Sequence, residues 1–319
     1  MCLSPITIKN PYYGLGSKGI NYLHNTNDSH IQVPCGHCRQ CISLRQGYFN
    51  QRIQMESLRS DFFFFTLTYN NEHLPIVDIG DYHLAYPNIQ HIQNLFKRLR
   101  NYIDFPVRYM VCSEYGTERH RPHFHGLLAV PKKYNTLNSN YNFHPLEQYL
   151  SDIFKKCWSE NVGTRKSPIY EPLFTFVSNR YGRNFDFHYV TPIKDHDNDI
   201  SFYISKYLCQ YDEYIQKLIR KIKLDVNISP EDTKKLISLI KPRCLISKSL
   251  GDRNFPQIKK YILECIEKNE NIPSFYDINT GKQQLLSPYY RKLIPVTYRF
   301  NQFYNLTNNY DLNFILILN

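Results

Sequence analysis

The chain has 319 residues, of which 42% are hydrophobic and 21% are charged, and it carries a formal net charge of +11. This length and composition exclude a wholly disordered protein, because the chain can bury a substantial core, and the positive charge favours a polyanionic partner such as nucleic acid. No stretch approaches the roughly 20 apolar residues of a membrane span, and the chain does not open with a basic segment followed by an apolar one, so we expect a cytosolic protein without a membrane partner.

Hydrophobic spacing predicts alternating strands and helices along the chain. In chain order these are a helix over 44–60, a strand over 62–69, a helix over 88–103, strands over 107–114 and 123–130, a helix over 145–160, a strand over 185–193 and a helix over 199–223. The strand over 62–69 begins with consecutive phenylalanines, which is typical of a central strand covered on both faces. This order predicts an α+β fold in which helices flank a central, mostly antiparallel β-sheet.

The same patterning divides the chain into three regions. Residues 1–50 are irregular and rich in cysteine, residues 51–235 hold the predicted strands and helices, and residues 236–319 are basic, rich in tyrosine and weakly patterned. We therefore expect an N-terminal cysteine segment, a nuclease-sized core and a C-terminal appendage.

His123 and His125 are separated by one residue on a predicted strand. Side chains alternate along a strand, so both imidazoles project from the same face, where their neutral nitrogens can hold one divalent metal ion. The alternative is a pair of histidines on a strand that faces solvent.

The predicted helix over 199–223 carries a polar face separate from its apolar stripe. Tyr203, Lys206 and Tyr207 lie around that face, and the two tyrosines, four residues apart, are neighbours at about 5–6 Å. A phenolate can attack a phosphodiester and leave a covalent phosphotyrosine, while a lysine can offset the charge on the transferring phosphate. The alternative is an amphipathic helix whose tyrosines only cover its surface.

Three cysteines near the N-terminus, Cys35, Cys38 and Cys41, have the spacing of metal ligands, with Cys2 or His37 close in sequence. Three thiolates with a fourth ligand suit a structural zinc ion, and closely spaced cysteines can also ligate an iron–sulfur cluster. Reduced thiols without a metal are the remaining alternative, because a cytosolic setting disfavours disulfides. The other cysteines are isolated in sequence and are expected to be packing residues: Cys112, Cys157, Cys209, Cys244 and Cys265.

Together these motifs resemble the HUH single-strand endonucleases and, more narrowly, the replication initiators of gokushovirus-type phages of the Microviridae. Phe64–Tyr69 is similar to the first motif of the family, Arg121–Gly126 to the second, and Tyr203–Tyr207 to the third in its two-tyrosine form. The opening Met-Cys-Leu-Ser-Pro and the segment Val33–Cys41 also resemble that phage group. One departure is Gln210, where relatives with two tyrosines often place a second lysine.

The resemblance implies a metal site on an HUH-type core of split-βαβ, RRM-like topology. His123 and His125 would bind Mg²⁺ or Mn²⁺, and the family generally adds a third polar ligand from a neighbouring strand. Glu114 closes the preceding predicted strand, and its carboxylate suits these hard ions. Glu118 and His120 are closer in sequence to the histidines but fall in the predicted loop.

The resemblance also implies a function, that of a rolling-circle replication initiator in the cytoplasm of a bacterial host. Tyr203 or Tyr207 would nick single-stranded DNA at the origin, retain the 5′ phosphate and free a 3′-OH for a host polymerase, and the stored bond would permit religation. The chain contains no phosphate-binding loop of the helicase type, so we expect a host helicase to unwind the duplex.

Two other functions fit the same residues. An HUH transposase or plasmid relaxase would use nearly identical chemistry, although the phage-like cysteine segment and the two-tyrosine helix argue against it. A single-stranded DNA-binding protein without catalysis would use the histidines structurally and the tyrosines as a stacking surface.

Overall fold

The computed structural model describes residues 3–11, 13–14, 28–36, 38–134, 146–174, 185–190, 213–267, 274–276 and 283–293. In chain order the strands are β1 (Ile6–Lys9), β2 (His30–Val33), β3 (Ser60–Leu67), β4 (Ile76–Ile79), β5 (Tyr82–Ala85), β6 (Arg108–Tyr115), β7 (Pro122–Pro131), β8 (Ser159–Asn161), β9 (Tyr170–Pro172), β10 (Phe185–Val190), β11 (Cys244–Ile246), β12 (Ser274–Tyr276) and β13 (Gln283–Leu285). The helices are α1 (Arg39–Ser57), α2 (Ile89–Tyr102), α3 (Leu146–Cys157), α4 (Glu213–Leu224), α5 (Pro230–Ile240), α6 (Pro256–Glu267) and α7 (Pro288–Arg291).

The chain forms two compact units. One comprises Glu56–Leu250, and the other combines Met1–Met55 with Gly251–Asn319. The domain boundaries expected at residues 50 and 235 stay predictions about regions that fold independently.

The unit of residues 56–250 is built on a five-stranded antiparallel sheet in the order β10–β3–β7–β6–β11. Strands β3 and β6 are connected through α2 and flank β7, while β7 and β10 are connected through α3 and flank β3. This is the split βαβ arrangement, and it confirms the α+β prediction with helices beside an antiparallel sheet.

Helices α2 and α3 cover one face of the sheet, because their apolar residues recur at helical spacing. Ile92, Leu95 and Leu99 of α2 and Phe154 of α3 are fully buried, and they belong to one core with the odd-numbered phenylalanines of β3. Asn88 begins α2 by accepting a hydrogen bond from the Gln90 backbone at 3.0 Å, a typical N-cap.

The opposite face of the sheet carries the even-numbered residues of β3, which are also shielded from solvent. Phe62 and Phe64 are 0% and 5% exposed, so the run of phenylalanines is buried on both faces as predicted. Thr66 follows them on this face and lies opposite His125 of β7.

The segment after residue 212 contributes to the same unit. Helices α4 and α5 pack against the β4–β5 hairpin through residues such as Ile215, Ile222 and Leu236. The helix predicted over 199–223 is confirmed from Glu213 onward, and residues 199–212 lie outside the described ranges. Strand β11 pairs with β6, so part of the region expected to be an appendage forms the edge of the central sheet.

In the other unit, side chains of α1 contact the segment around α7. The Gln51 side chain accepts a hydrogen bond from the Ser287 backbone at 2.8 Å, and Arg291 donates to the Tyr48 hydroxyl at 3.0 Å. These contacts explain why chain segments far apart in sequence belong to one unit.

No helix in the described ranges is both long enough and apolar enough to cross a membrane.

Candidate metal centre

Three side chains meet where β6 and β7 pair. Glu114 lies opposite His123 in the antiparallel register, and His125 is two residues further along on the same face. Oε1 of Glu114 lies 2.6 Å from Nε2 of His123 and 3.1 Å from Nε2 of His125. Their ligand atoms all lie within 4.8 Å of one another, so the structure brings the three predicted ligands together.

The hydrogen bonds of the second ring nitrogens orient both imidazoles. Nδ1 of His123 lies 3.1 Å from the Arg121 carbonyl oxygen, and Nδ1 of His125 lies 2.9 Å from the Thr66 hydroxyl. A carbonyl can only accept, so Nδ1 of His123 carries the proton, and in a neutral ring Nε2 is left with its lone pair. Both Nε2 atoms therefore point at Glu114 in the state that ligates a metal.

The donor set fits a cation. A neutral Nε2 and a carboxylate oxygen are both acceptors, so at 2.6 Å they need a positively charged centre or a proton between them. Among the described residues, Oε2 of Glu114 is buried and has no hydrogen-bond partner. An ion bound at this carboxylate would satisfy an oxygen that is otherwise costly to bury.

The electrostatics of the site keep Glu114 ionised. Burial of this carboxyl raises its pKa, but the hydrogen bonds and positive charge supplied by His123 and His125 outweigh that effect and lower the pKa to about 2. The site thus presents a hard anionic oxygen at every physiological pH.

Aromatic rings on the neighbouring strands line this face of the sheet. The Phe64 ring stacks on His125 at a centroid distance of 5.8 Å, and on its other side it lies 5.3 Å from the ring of His188 on β10. Such packing limits the rotation of His125.

The tyrosine motif cannot be placed relative to this site. Tyr203, Lys206, Tyr207 and Gln210 all lie outside the described residues. Helix α4, which begins at Glu213, continues the predicted helix that carries them.

His120, in the loop between β6 and β7, is not part of the metal cluster. Its ring stacks on Tyr214 at 3.6 Å with an interplanar angle of 3°. Its φ of +48° is uncommon for a residue with a side chain. The structure therefore supports the choice of Glu114 over the loop residues as the third member of the cluster.

A second group of potential ligands lies at the start of α1. The sulfurs of Cys35, Cys38 and Cys41 lie within 4.8 Å of one another, and the Cys38 backbone donates to the Cys35 sulfur at 3.3 Å. Hydrogen bonds from the backbones of Cys41 and Leu3 lower the pKa of Cys38 to about 6, which favours the thiolate that binds metal. Cys2 and His37 lie outside the described residues, but Leu3 adjoins Cys2 in sequence.

Two of the cysteines expected to be isolated are neighbours in the fold. Cys112 and Cys244 lie opposite each other on β6 and β11, with their sulfurs 3.9 Å apart. Cys157 is a buried packing residue, and burial raises its pKa to about 11. Cys209 and the side chain of Cys265 lie outside what the structure describes.

The structure adds Thr66 to the site, a residue that the sequence interpretation did not single out. Thr66 belongs to the same motif as the phenylalanines of β3, but its contact with His125 depends on the pairing of β3 with β7. Only the strand register shows that pairing, so the sequence offered no direct signal for it.

Comparison with known proteins relates this region to viral replication. Residues 62–212, just under half of the chain, match the sequence model of a family whose description begins with Replication-associated protein ORF2. A relative from Spiroplasma virus 4, described as Replication-associated protein ORF2, is 27% identical over 186 residues, which cover 51% of this chain and 55% of the relative. The chain thus spans about half the length of the curated relative that it matches. No solved structure matches it significantly.

The range matched by the family contains Glu114, His123, His125 and both tyrosines of the polar helix face. This similarity supports a relationship to viral replication-associated proteins that includes the candidate metal centre.

Proposed function

We propose that this chain initiates rolling-circle replication of a small single-stranded DNA virus, in the manner of the gokushovirus-type initiators of the Microviridae. It would act as a metal-dependent single-strand endonuclease and strand transferase of the HUH type. The observation that carries the proposal is the convergence of Nε2 of His123, Nε2 of His125 and Oε1 of Glu114, within a range that matches a replication-associated family.

The three ligands would hold Mg²⁺ or Mn²⁺. Carboxylate oxygen suits both ions, and imidazole is compatible with Mn²⁺ in mixed sites. When bound, the ion would polarise the scissile phosphate as a Lewis acid. Glu114 supplies the negative charge, while His123 and His125 are held in the ligating orientation by the Arg121 carbonyl and the Thr66 hydroxyl.

A tyrosine performs the covalent step. The phenol oxygen of Tyr203 or Tyr207 loses its proton and bonds to phosphorus, the bond from phosphorus to the 3′ oxygen breaks, and that oxygen takes a proton to become a 3′-OH. The 5′ phosphate remains on the tyrosine, and the positive charge of Lys206 offsets the charge on the transferring group. Attack by a 3′-OH on the phosphotyrosine reverses these bond changes and religates the strand.

The products fit a division of labour with the host. The free 3′-OH is a primer terminus for a host DNA polymerase, and a host helicase would separate the strands in the bacterial cytoplasm. The second tyrosine would allow cleavage of the regenerated origin while the first still holds the 5′ end.

Adduct formation tests the proposal directly. Purified chain is incubated with Mn²⁺ and a library of single-stranded oligonucleotides with a randomised centre, and protein–DNA adducts that survive denaturant are isolated and sequenced. We expect adducts that require Mn²⁺, and mass spectrometry should place the DNA on Tyr203 or Tyr207. Tyr203→Phe/Tyr207→Phe should form none, whereas Tyr149→Phe, an exposed tyrosine on α3, should form them normally.

The same experiment separates the alternatives. Reversible binding without any adduct would contradict the nuclease and favour a single-stranded DNA-binding protein. An adduct retained by the double variant would contradict the tyrosine mechanism.

We further propose that Cys35, Cys38 and Cys41 hold a structural zinc ion, with Cys2 as the fourth ligand. Three sulfurs within 4.8 Å of one another suit tetrahedral zinc. The hydrogen bond between the Leu3 backbone and the Cys38 sulfur brings the residue next to Cys2 beside the cluster.

A further inference from the structure

The β8–β9 hairpin carries features that the nicking chemistry does not use. All residues from 164 to 172 are exposed, yet the loop between the strands is tightly hydrogen bonded. The Val162 backbone donates to the Ile169 carbonyl at 2.9 Å, and the Asn161 side chain accepts from the backbones of Gly163 and Ile169 at 3.1 and 3.0 Å. The hairpin therefore holds its shape without a core, and little ordering entropy would oppose binding there.

Large apolar side chains are concentrated on this hairpin. Val162, Ile169 and Tyr170 are 51%, 59% and 51% exposed. Single exposed apolar residues are normal on a protein surface, but three on one short hairpin point to a contact with another molecule.

Tyr170 offers one open face for stacking. The guanidinium of Arg98 lies 5.1 Å from the centroid of the ring, and hydrogen bonds to the carbonyls of Cys157 and Ser159 at 2.7 and 2.5 Å hold that guanidinium in place. Arg98 therefore covers one side of the ring, and the exposed half is available to a planar partner.

The charges on the hairpin are separated by face. Glu160 and Glu171 lie opposite each other, so they project from the face opposite to Tyr170. They lie near histidines, with Glu171 at 3.2 Å from Nε2 of His73. Arg165 and Lys166 are exposed in the turn, which leaves the Tyr170 face flanked by cations.

The root of the hairpin is tied to the segment next to the candidate metal centre. The Asn70 backbone donates to the Leu173 carbonyl at 2.8 Å, and Nε1 of Trp158 donates to the Thr68 carbonyl at 2.8 Å. Arg121, two residues before His123, donates to the Tyr69 carbonyl at 2.8 Å. A strand of DNA at the metal centre could therefore continue onto the hairpin.

We propose that the β8–β9 hairpin binds the single-stranded DNA that flanks the scissile phosphate. A base stacks on the open face of Tyr170, and Arg165 and Lys166 contact phosphates. Aromatic stacking beside cations is the general way in which proteins bind single strands without reading their sequence. This inference rests on the proposed function, because it takes single-stranded DNA as the substrate.

Fluorescence anisotropy with a labelled single-stranded oligonucleotide of mixed sequence tests the hairpin, with chelator present so that no cleavage occurs. Tyr170→Ala should weaken binding roughly 5- to 100-fold through the loss of one stacked base, and Tyr170→Phe should restore it. Arg165→Gln/Lys166→Gln should lower the slope of log affinity against log salt by about 1.4, at about 0.7 for each lost phosphate contact on a single strand. The matched controls, Tyr149→Ala and Lys234→Gln/Lys235→Gln, change exposed residues elsewhere and should bind as the unchanged chain does.

Each outcome decides one of the two proposals. Unchanged affinity and salt slope in the hairpin variants would overturn the hairpin surface, while Mn²⁺-dependent adducts of the unchanged chain would still support the nuclease. Loss of affinity in the hairpin variants without any adduct from the unchanged chain would support the surface and contradict the nuclease. No affinity of the unchanged chain for the oligonucleotide would overturn both.

Discussion

The candidate metal centre depends on which nitrogen of each histidine carries the proton. The Arg121 carbonyl and the Thr66 hydroxyl bind the two Nδ1 atoms, which leaves both Nε2 atoms directed at Glu114. Hydrogen bonds of this kind raise the basicity of metal-binding imidazoles and hold their orientation. Thr66 is therefore a positioning residue for His125.

Replacing Thr66 tests that role. Thr66→Val keeps the branched shape but removes the hydroxyl, so we expect Mn²⁺ affinity to fall by about 10- to 100-fold, and Thr66→Ser should retain most of it. Titration followed by electron paramagnetic resonance measures the affinity, and ¹⁵N spectra of labelled histidine in the metal-free protein report the tautomer of His125. Equal Mn²⁺ affinity in the valine variant and the unchanged chain would contradict the role.

His91 provides a prediction about pH at the same scale. Nδ1 of His91 lies 3.1 Å from the Tyr69 hydroxyl, and Nε2 lies 3.2 Å from the Asn88 amide nitrogen. Burial lowers the pKa of His91, and the nearby carboxylate of Glu160 only partly opposes this effect. The ring is therefore neutral in the folded protein where it would be protonated in the unfolded chain.

The sign follows from proton binding. Below a pH of about 6.5 the unfolded chain binds a proton at this residue that the folded protein does not, so the free energy of unfolding falls as the pH decreases through that window. Urea unfolding at several pH values should show a shallower decrease for His91→Gln than for the unchanged chain. His83→Gln, at an exposed histidine, is the control, and an identical pH slope for His91→Gln would count against the assignment.

At the scale of elements, strands and helices with strong apolar spacing were predicted closely. Helix α2 and strand β3 lie within two residues of their predicted bounds, because their buried side chains recur at the helical or strand period. Helix α1 begins at Arg39, before the predicted residue 44, because its first turn has little apolar patterning. Strand β11 spans only Cys244–Ile246, which is too short to show a period.

Gly126 controls how closely β7 approaches β3. A Cβ atom at this position would lie 2.2 Å from Cζ of Phe65, and Phe65 is fully buried, so the ring has no room to move. We expect Gly126→Ala to lower the free energy of unfolding by about 1–3 kcal/mol, the usual cost of overpacking a core, as measured by chemical denaturation in metal-free buffer.

Gly116→Ala is the matched control for that substitution. Its Cβ would meet its nearest neighbour, Cε1 of His123, at 3.7 Å, which is ordinary van der Waals contact. A loss of stability as large as that of Gly126→Ala would show that the close packing on Phe65 is not the cause.

At the scale of the whole molecule, the N-terminal cysteines belong to the unit that combines Met1–Met55 with Gly251–Asn319. The described part of this unit has only short strands besides its helices, and small irregular regions gain most from a structural metal. The zinc proposal therefore concerns the stability of this unit rather than the chemistry of nicking.

Metal removal tests the zinc site. We expect purified chain to contain about one zinc ion, and either a chelator or Cys38→Ser should increase amide hydrogen exchange over residues 28–41 while β3 stays protected. Cys157→Ser is the control, because that buried thiol lies in the other unit. A metal-free chain with full protection over 28–41 would contradict the site, and iron in place of zinc would favour a cluster.

The sequence by itself determined the local elements and the types of residue in the site. Periodic apolar residues predicted the strands and helices, the order of elements predicted the antiparallel α+β fold, and the alternation of a strand placed His123 and His125 on one face. Each of these properties is local, because it depends on neighbours within a few positions of the chain.

Only the tertiary structure decided which distant residues meet. The register of β6 against β7 placed Glu114 opposite His123, and the register of β3 against β7 placed Thr66 beside His125. A shift of one residue would turn either side chain to the other face of the sheet. That register results from packing both faces of the sheet at once, which no short stretch of sequence specifies, so the complete ligand set and its orientation follow from the fold.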